Sequence, residues 1–196
     1  MGRLLAIGTS LLVLIGSAYA ADFADPLPRY ERAGNGFACH MNNADGDRAD
    51  AMHWSADQMC MRIGPLYVGM SRVDLEKLLG KPDHSLMANG RENFVYVVHR
   101  DEAHNLMTYV VITYDPDAVT DSVQLTGQAW PSAWQFSGLT LGDSEDVLRA
   151  RLGEPLQNYP SDEPGTQVWD FRPWTFSIEV HDKKITSIRT AMSNDN

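Results

Sequence analysis

Two stretches of the chain gather side chains that can hold a cation or move a proton. In His99-Arg100-Asp101-Glu102-Ala103-His104, two imidazoles flank two carboxylates. Imidazole and carboxylate ligate zinc and related metals, and either can serve as a general base. The second stretch runs from His40 to His53 and holds Asp45, Asp47 and Asp50. Its Asn43-Ala44-Asp45-Gly46-Asp47 segment has the flavour of a calcium loop, but the register fails. With Gly46 at the sixth position, Met41 and Met52 would occupy the first and twelfth, and neither can supply a carboxylate. The 99–104 stretch crosses an expected hairpin turn, where charged residues collect for solvation alone. A solvated loop is therefore favoured over a metal site in the first case, and a polar loop over a cation site in the second.

Motifs for other chemistry are missing. The chain has no G-x-S-x-G elbow, no glycine-rich phosphate loop and no H-E-x-x-H pair. No catalytic residue, cofactor or metal ligand is assigned, and the reading is a non-enzyme. Two cysteines, Cys39 and Cys60, are present. In an oxidising compartment such a pair is expected as a disulfide closing a loop of about 20 residues, with a reactive thiol or a metal ligand as alternatives.

The compartment is read from the first twenty residues. Arg3 supplies a positive charge, Leu4 to Ile15 an apolar core, and Ala18-Tyr19-Ala20 a small-residue cleavage site. These are the parts of a secretory signal, and the apolar run is shorter than the roughly 20 residues a membrane span needs. An uncleaved anchor is the alternative. The expected mature chain starts at Ala21, without stable membrane insertion, in the periplasm or secreted. Sixteen basic residues face twenty-six acidic ones, a formal net charge of −10. Loss of Arg3 with the leader makes the mature chain one unit more acidic. Such a chain is repelled by nucleic acid and anionic membrane surfaces, and a basic partner suits it.

The elements that would position any site show an internal repeat. Leu66 to Pro82 and Leu139 to Pro155 align without gaps at an offset of 73, with seven of seventeen positions identical. Ser71 and Ser144 can cap a helix, and acidic residues follow in the first turn (Asp74; Glu145 and Asp146). Leu75, Leu78 and Leu79 share one helical face, as do Leu148 and Leu152. Gly80 and Gly153 end the helices, and Pro82 and Pro155 forbid continuation. Strand-like sequence follows at 93–100, 106–114 and 119–125, then at 167–171, 175–181 and 185–191. Asp115-Pro116-Asp117 and Asp182-Lys183-Lys184 read as tight turns. Further short helices are expected at 50–61 and 128–135.

The expected fold is therefore α+β: two tandem repeats, each a short helix on one face of a three-stranded antiparallel meander. The expected organisation is a signal peptide (1–20), an N-terminal arm with the disulfide loop (21–62), a first repeat (63–127), a linker (128–137), a second repeat (138–192) and a tail (193–196). Residues 21–40 contain Pro26, Pro28, Gly34 and Gly36 without periodicity and read as an extended or mobile leader.

Gly69, Ser71, Leu75, Leu79, Gly80, Pro82 and Tyr96, with Gly142, Ser144, Leu148, Leu152, Gly153, Pro155 and Trp169, form a pattern similar to a known repeat. It resembles that of the β-lactamase inhibitory proteins and the related BamE (SmpA/OmlA) envelope domains. The tandem arrangement is closer to the inhibitors, and the lipid-bearing cysteine of BamE lipoproteins is missing. The resemblance implies a non-enzymatic protein-binding module, an inhibitor among the options, whose tandem sheets can join into a concave surface. The alternatives are an envelope-assembly scaffold of BamE type or a metal-dependent enzyme.

Strand parity singles out a contact face. Opposite Tyr96 and Trp169 lie Val97, His99, Asp170 and Arg172, to which Tyr109 is added. Of the aromatics crowding the second half, Trp169 and Phe171 share a sheet face and read as core. Trp130 and Trp134 sit at the seam between copies, where they either anchor a partner or pack the copies together. Another envelope or secreted protein is the expected partner.

Overall fold

Alternation of Val, Ile and aromatic side chains with polar ones dominates residues 91–126 and 166–191, and these stretches form the body of one antiparallel sheet. The computed structural model describes residues 28–42, 46–47, 55–88, 90–128 and 134–192. A hairpin comes first, β1 (Arg29–Ala33) and β2 (Gly36–His40), then helix α1 (Ala56–Cys60) and a short pair, β3 (Arg62–Ile63) and β4 (Leu66–Tyr67). Helix α2 (Arg72–Leu79) leads into β5 (His84–Ala88), β6 (Arg91–Asp101), β7 (Leu106–Tyr114) and β8 (Thr120–Thr126). Helix α3 (Glu145–Leu152) leads into β9 (Gln157–Pro160), β10 (Thr166–Asp170), β11 (Phe176–His181) and β12 (Lys184–Ala191).

These strands make one sheet in the order β5-β6-β7-β8-β12-β11-β10-β9. The finding corrects the expected α+β fold of two helix-backed three-stranded repeats. Of the described residues 50% are strand and 14% helix, with three short helices around an eight-stranded antiparallel sheet. The helices are short because cap and stop lie nine residues apart in both copies of the motif. The extra strands, β5 and β9, are exposed along their whole length and carry no apolar alternation to betray them. Pairing of β8 with β12, from Ser187 opposite Thr126 to Ala191 opposite Ser122, makes the sheet continuous.

The motif residues do matching work in the two copies. Ser71 Oγ accepts the Asp74 amide at 3.2 Å, and Ser144 Oγ accepts the Val147 amide at 3.3 Å. Gly80 (φ 82°, ψ −161°) and Gly153 (φ 76°, ψ −162°) end the helices in a region open to glycine alone. The Gly69 and Gly142 amides donate to the Thr120 and Ile185 carbonyls, each at 2.8 Å, and tie the chain ahead of each helix to the sheet. Arg72 pairs with Glu76 at 2.7 Å, whereas at the same two positions of α3 Glu145 pairs with Arg149 at 2.5 Å. The ion pair is kept with its polarity reversed.

One face of the sheet builds the core. Tyr96, Val110, Ile112, Val123, Leu125, Trp169, Ile178 and Ile188 lie buried there with Leu75 of α2 and Leu148 and Leu152 of α3. The β1–β2 hairpin, which sequence leaves as an extended leader, closes one end. Tyr30 is fully buried against Phe136 and Phe176, and Phe37 packs on Phe171, Trp174 and Phe176. Arg32 Nη1 donates to the Leu152 carbonyl at 2.8 Å, so the hairpin also caps the last turn of α3. Cys39 and Cys60 form a disulfide that ties β2 to α1. Among the described residues no helix is long and apolar enough to cross a membrane.

Candidate functional site

The sheet face away from the helices is not covered by another layer of the described chain. It forms a trough of about 740 Å³ whose walls include residues from all eight strands. A single trough that touches both edge strands requires the sheet to curl, as twisted antiparallel sheets do.

The register lays side chains across its floor in rungs, because directly opposed residues of antiparallel neighbours share a face. One rung runs His84, Val95, Val111, Gln124, Arg189, Ser177, Asp170 and Gln157, from one edge of the sheet to the other. The next runs Val97, Tyr109, Thr126, Ser187, Glu179, Val168 and Tyr159.

The polar floor is satisfied by its own hydrogen bonds. Gln124 Nε2 donates to Ser187 Oγ at 2.9 Å, and the Thr126 and Ser187 hydroxyls lie 3.0 Å apart. Thr113 Oγ1 donates to Asn93 Oδ1 at 2.7 Å and accepts from Ser122 Oγ at 3.1 Å. Thr113, Ser122 and Ser187 are all buried, and a paired network of this kind holds a rigid surface.

Charge is unevenly placed on that floor. Arg91 pairs with Asp121, and Arg172 Nε lies 2.9 Å from Asp170 Oδ2. Asp170 is 5% exposed, and its Oδ1 also accepts the Arg172 amide at 3.0 Å. Arg189 stands among these groups; burial pushes its guanidinium below the usual range, partly offset by attraction to Asp121 and Asp170. One rung away, burial raises the Glu179 carboxyl above its ordinary value. The Ser161 hydroxyl, donating at 3.2 Å, works against this, while Glu163 and Asp162 reinforce it. Tyr109 is likewise pushed up by burial.

The residues expected from strand parity divide. Tyr109, Asp170 and Arg172 line the trough, and Val97 stands directly across from Tyr109. His99 leaves this face. A register shift between Val97 and His99 sets His99 opposite the buried Thr108, one residue out of phase with Tyr109. The bulge flips strand parity, which a count of alternating residues does not register. Trp134 is half-buried against the core, and Trp130 lies outside the described residues. Trp169 and Phe171 are buried, with the Arg149 guanidinium 4.9 Å from the Trp169 ring centroid. Sequence reading misses Arg189, Glu179, Gln124 and Ser187. The available signal is the alternation from Ser187 to Thr190, which sends Ser187 and Arg189 to the face opposite Ile188 once β12 is known to be central; Ile185 shares their parity and reaches the buried face only through the register shift at Val180.

The two histidine-rich stretches differ in what they present. His104 Nδ1 lies 2.7 Å from Asp101 Oδ2, and that contact lowers the Asp101 carboxyl. Among the described residues no three His, Cys, Asp or Glu side chains converge to hold a metal ion. Asp45, Asp50 and His53 lie outside them, as do residues 1–27, which include the expected leader, and 193–196.

No protein-family model matches the chain, and no curated protein matches it. Among solved structures, it is similar to a DUF4309 family protein, YjgB, from Bacillus subtilis subsp. subtilis str. 168. The identity is 12% and the TM-score 0.42, with 67% of this chain and 82% of that one covered. A likeness this loose assigns neither family nor activity.

Proposed function

We propose that the chain is an exported, non-enzymatic module that takes a protein partner into the concave face of its sheet. One observation carries this reading: a single trough reaches all eight strands, and its floor is polar, hydrogen-bonded and framed by tyrosines. Tyrosine and arginine are the side chains that most often anchor protein partners, and Tyr109, Tyr159 and Arg172 supply them here. The resemblance of the Gly-x-Ser to Gly-x-Pro motif to that of the β-lactamase inhibitory proteins points the same way, with enzyme inhibition as the finer form. The disulfide and the Arg3 to Ala20 leader pattern support a periplasmic or secreted location.

The test is affinity capture from envelope extract, read by mass spectrometry, with wild type compared against Tyr109→Ala and Arg172→Ala. One stoichiometric partner, weakened by either substitution at unchanged thermal stability, is the expected result. A partner held equally well by both variants overturns the assignment of the trough.

A further inference from the structure

The two edges of the eight-stranded sheet are protected unequally. At one edge β9 contains Pro160, which has no N–H to offer, and Asp162 and Glu163 follow close behind it. At the other edge β5 reads His84-Ser85-Leu86-Met87-Ala88, with no proline, carboxylate, lysine or arginine. Its pairing with β6 runs without a register shift, and Leu86 and Met87 are 44% and 69% exposed. Edge strands are ordinarily blunted by charge, proline or a bulge, and β5 carries none of these. Glu92, across from Met87 on β6, already accepts from the Ser85 hydroxyl at 2.7 Å.

The backbone of β5 has groups left over. The Val97 amide donates to Asp83 Oδ2 at 2.7 Å, and the Val95 carbonyl accepts the Asp83 amide at 2.8 Å. Both groups of β6 therefore point toward β5. Direction alternates along a strand, so Asn93 and Arg91 point the same way. Their partners His84, Leu86 and Ala88 exchange ladder bonds with β6. Ser85 and Met87 turn N–H and C=O outward, and no described strand lies beyond β5 to receive them.

We infer that the partner docks by adding an extended, uncharged strand to β5. The inference rests on the concave-face reading above, because His84, Leu86 and Ala88 line the trough and make the edge continuous with it. One row of the added strand's side chains enters the trough beside Leu86, and the other lies beside Met87 on the opposite face. Apolar side chains match both rows, whereas a charged row gives up hydration with no charge on β5 to meet it. A second copy of the chain is a poorer occupant. Five residues a side fall far short of the roughly 20–30 of a stable interface. Two chains of net charge −10 also repel one another. A partner that fills the trough as well supplies the missing area.

The experiment titrates the mature chain with a synthetic nonapeptide of alternating Thr and Val. Affinity is measured by calorimetry, and amide exchange at Ser85 and Met87 is followed by NMR. The peptide should slow exchange at both amides. A fully N-methylated version, and a net-neutral one with two Lys and two Glu in place of Val, should each bind roughly tenfold more weakly. Met87→Pro removes one outward N–H and should weaken binding at unchanged melting, while Met87→Ala should keep most of it. Binding without slower exchange at Ser85 and Met87, equal binding of the N-methylated peptide, or no binding at millimolar concentration overturns strand addition. Equal binding of the Lys/Glu peptide overturns the uncharged specificity. Slowing that grows with protein concentration in the absence of peptide gives the edge to a second copy and also overturns the inference. Strand addition at β5 by a captured partner that is insensitive to Tyr109→Ala and Arg172→Ala removes the trough reading while leaving the edge standing.

Discussion

Arg189 of β12 stands directly opposite Gln124 of β8, at the seam where the two four-stranded halves of the sheet meet. The pairing sets a charged group at the centre of an eight-residue rung rather than at an edge. Burial there already weakens its hold on a proton. The expected response of Glu179, one rung away, to substitution stems from this crowding of polar groups on a curved floor.

Glu179 illustrates the cost of that crowding. Its carboxyl is raised chiefly by burial, so the folded state binds a proton that the unfolded chain has already released. An acid with a raised folded pKa opposes folding above its unfolded value, and the penalty fades as pH falls through the raised folded value and vanishes below the unfolded one. Glu179→Gln should therefore raise the melting temperature at pH 7 and lose that advantage near pH 4. The Gln side chain can still accept from Ser161. Thermal melts of both proteins across this range check the sign.

Thr190 is fully buried on β12, and its hydroxyl has no hydrogen-bond partner among the described residues. An unsatisfied buried hydroxyl destabilises by roughly 1–3 kcal/mol, and valine matches threonine in shape. Thr190→Val should stabilise the protein by about 1 kcal/mol in urea unfolding, with an unchanged denaturant slope. A loss of stability would show that the hydroxyl is satisfied.

Gly36, the first residue of β2, lies under the indole of Trp174. An added Cβ there would sit within 2.5 Å of two ring atoms, and the ring is itself packed edge-on against Phe37 at 5.0 Å. Gly36→Ala should destabilise by about 1–3 kcal/mol through overpacking. In a Trp174→Leu background the penalty should shrink, and a double-mutant cycle by chemical denaturation measures the coupling.

The Cys39–Cys60 bridge closes a loop with a sequence separation of 21. In the chain-entropy account this stabilises by about 3 kcal/mol. The Cys39→Ser/Cys60→Ser double variant should melt cooperatively at a lower temperature. The loosening should appear first in β1 and β2, read as faster amide exchange at Tyr30 and Phe37 than at Ile112 or Ile178.

Local rules were legible along the chain because they need only near neighbours. A serine nine residues ahead of a glycine, with leucines at helical spacing between them, sets the ends of α2 and α3 without reference to the rest of the molecule. Leu106–Tyr114 is visible as a strand because Val, Ile, Thr and Tyr fill it. Strands β5 and β9 escape notice because every residue in them is exposed, and only neighbouring backbones hold them extended. The leader-like composition of residues 28–40 likewise hides a hairpin whose reason to form, the pocket around Tyr30, is assembled from Phe136 and Phe176 far along the chain.

Sequence alone therefore determined the duplicated motif, its caps and stops, the cysteine pair and the acidic balance, all of them properties of short segments or of sums. Tertiary structure decided that β8 pairs with β12, which joins the strands of the two copies into one sheet, that a bulge removes His99 from the face of Val97, and that Arg189 and Glu179 share a floor with Tyr109. Each of these depends on register between strands remote in sequence. Register is chosen by which long-range contacts bury the most apolar surface while pairing every backbone group, a sum that no single segment contains.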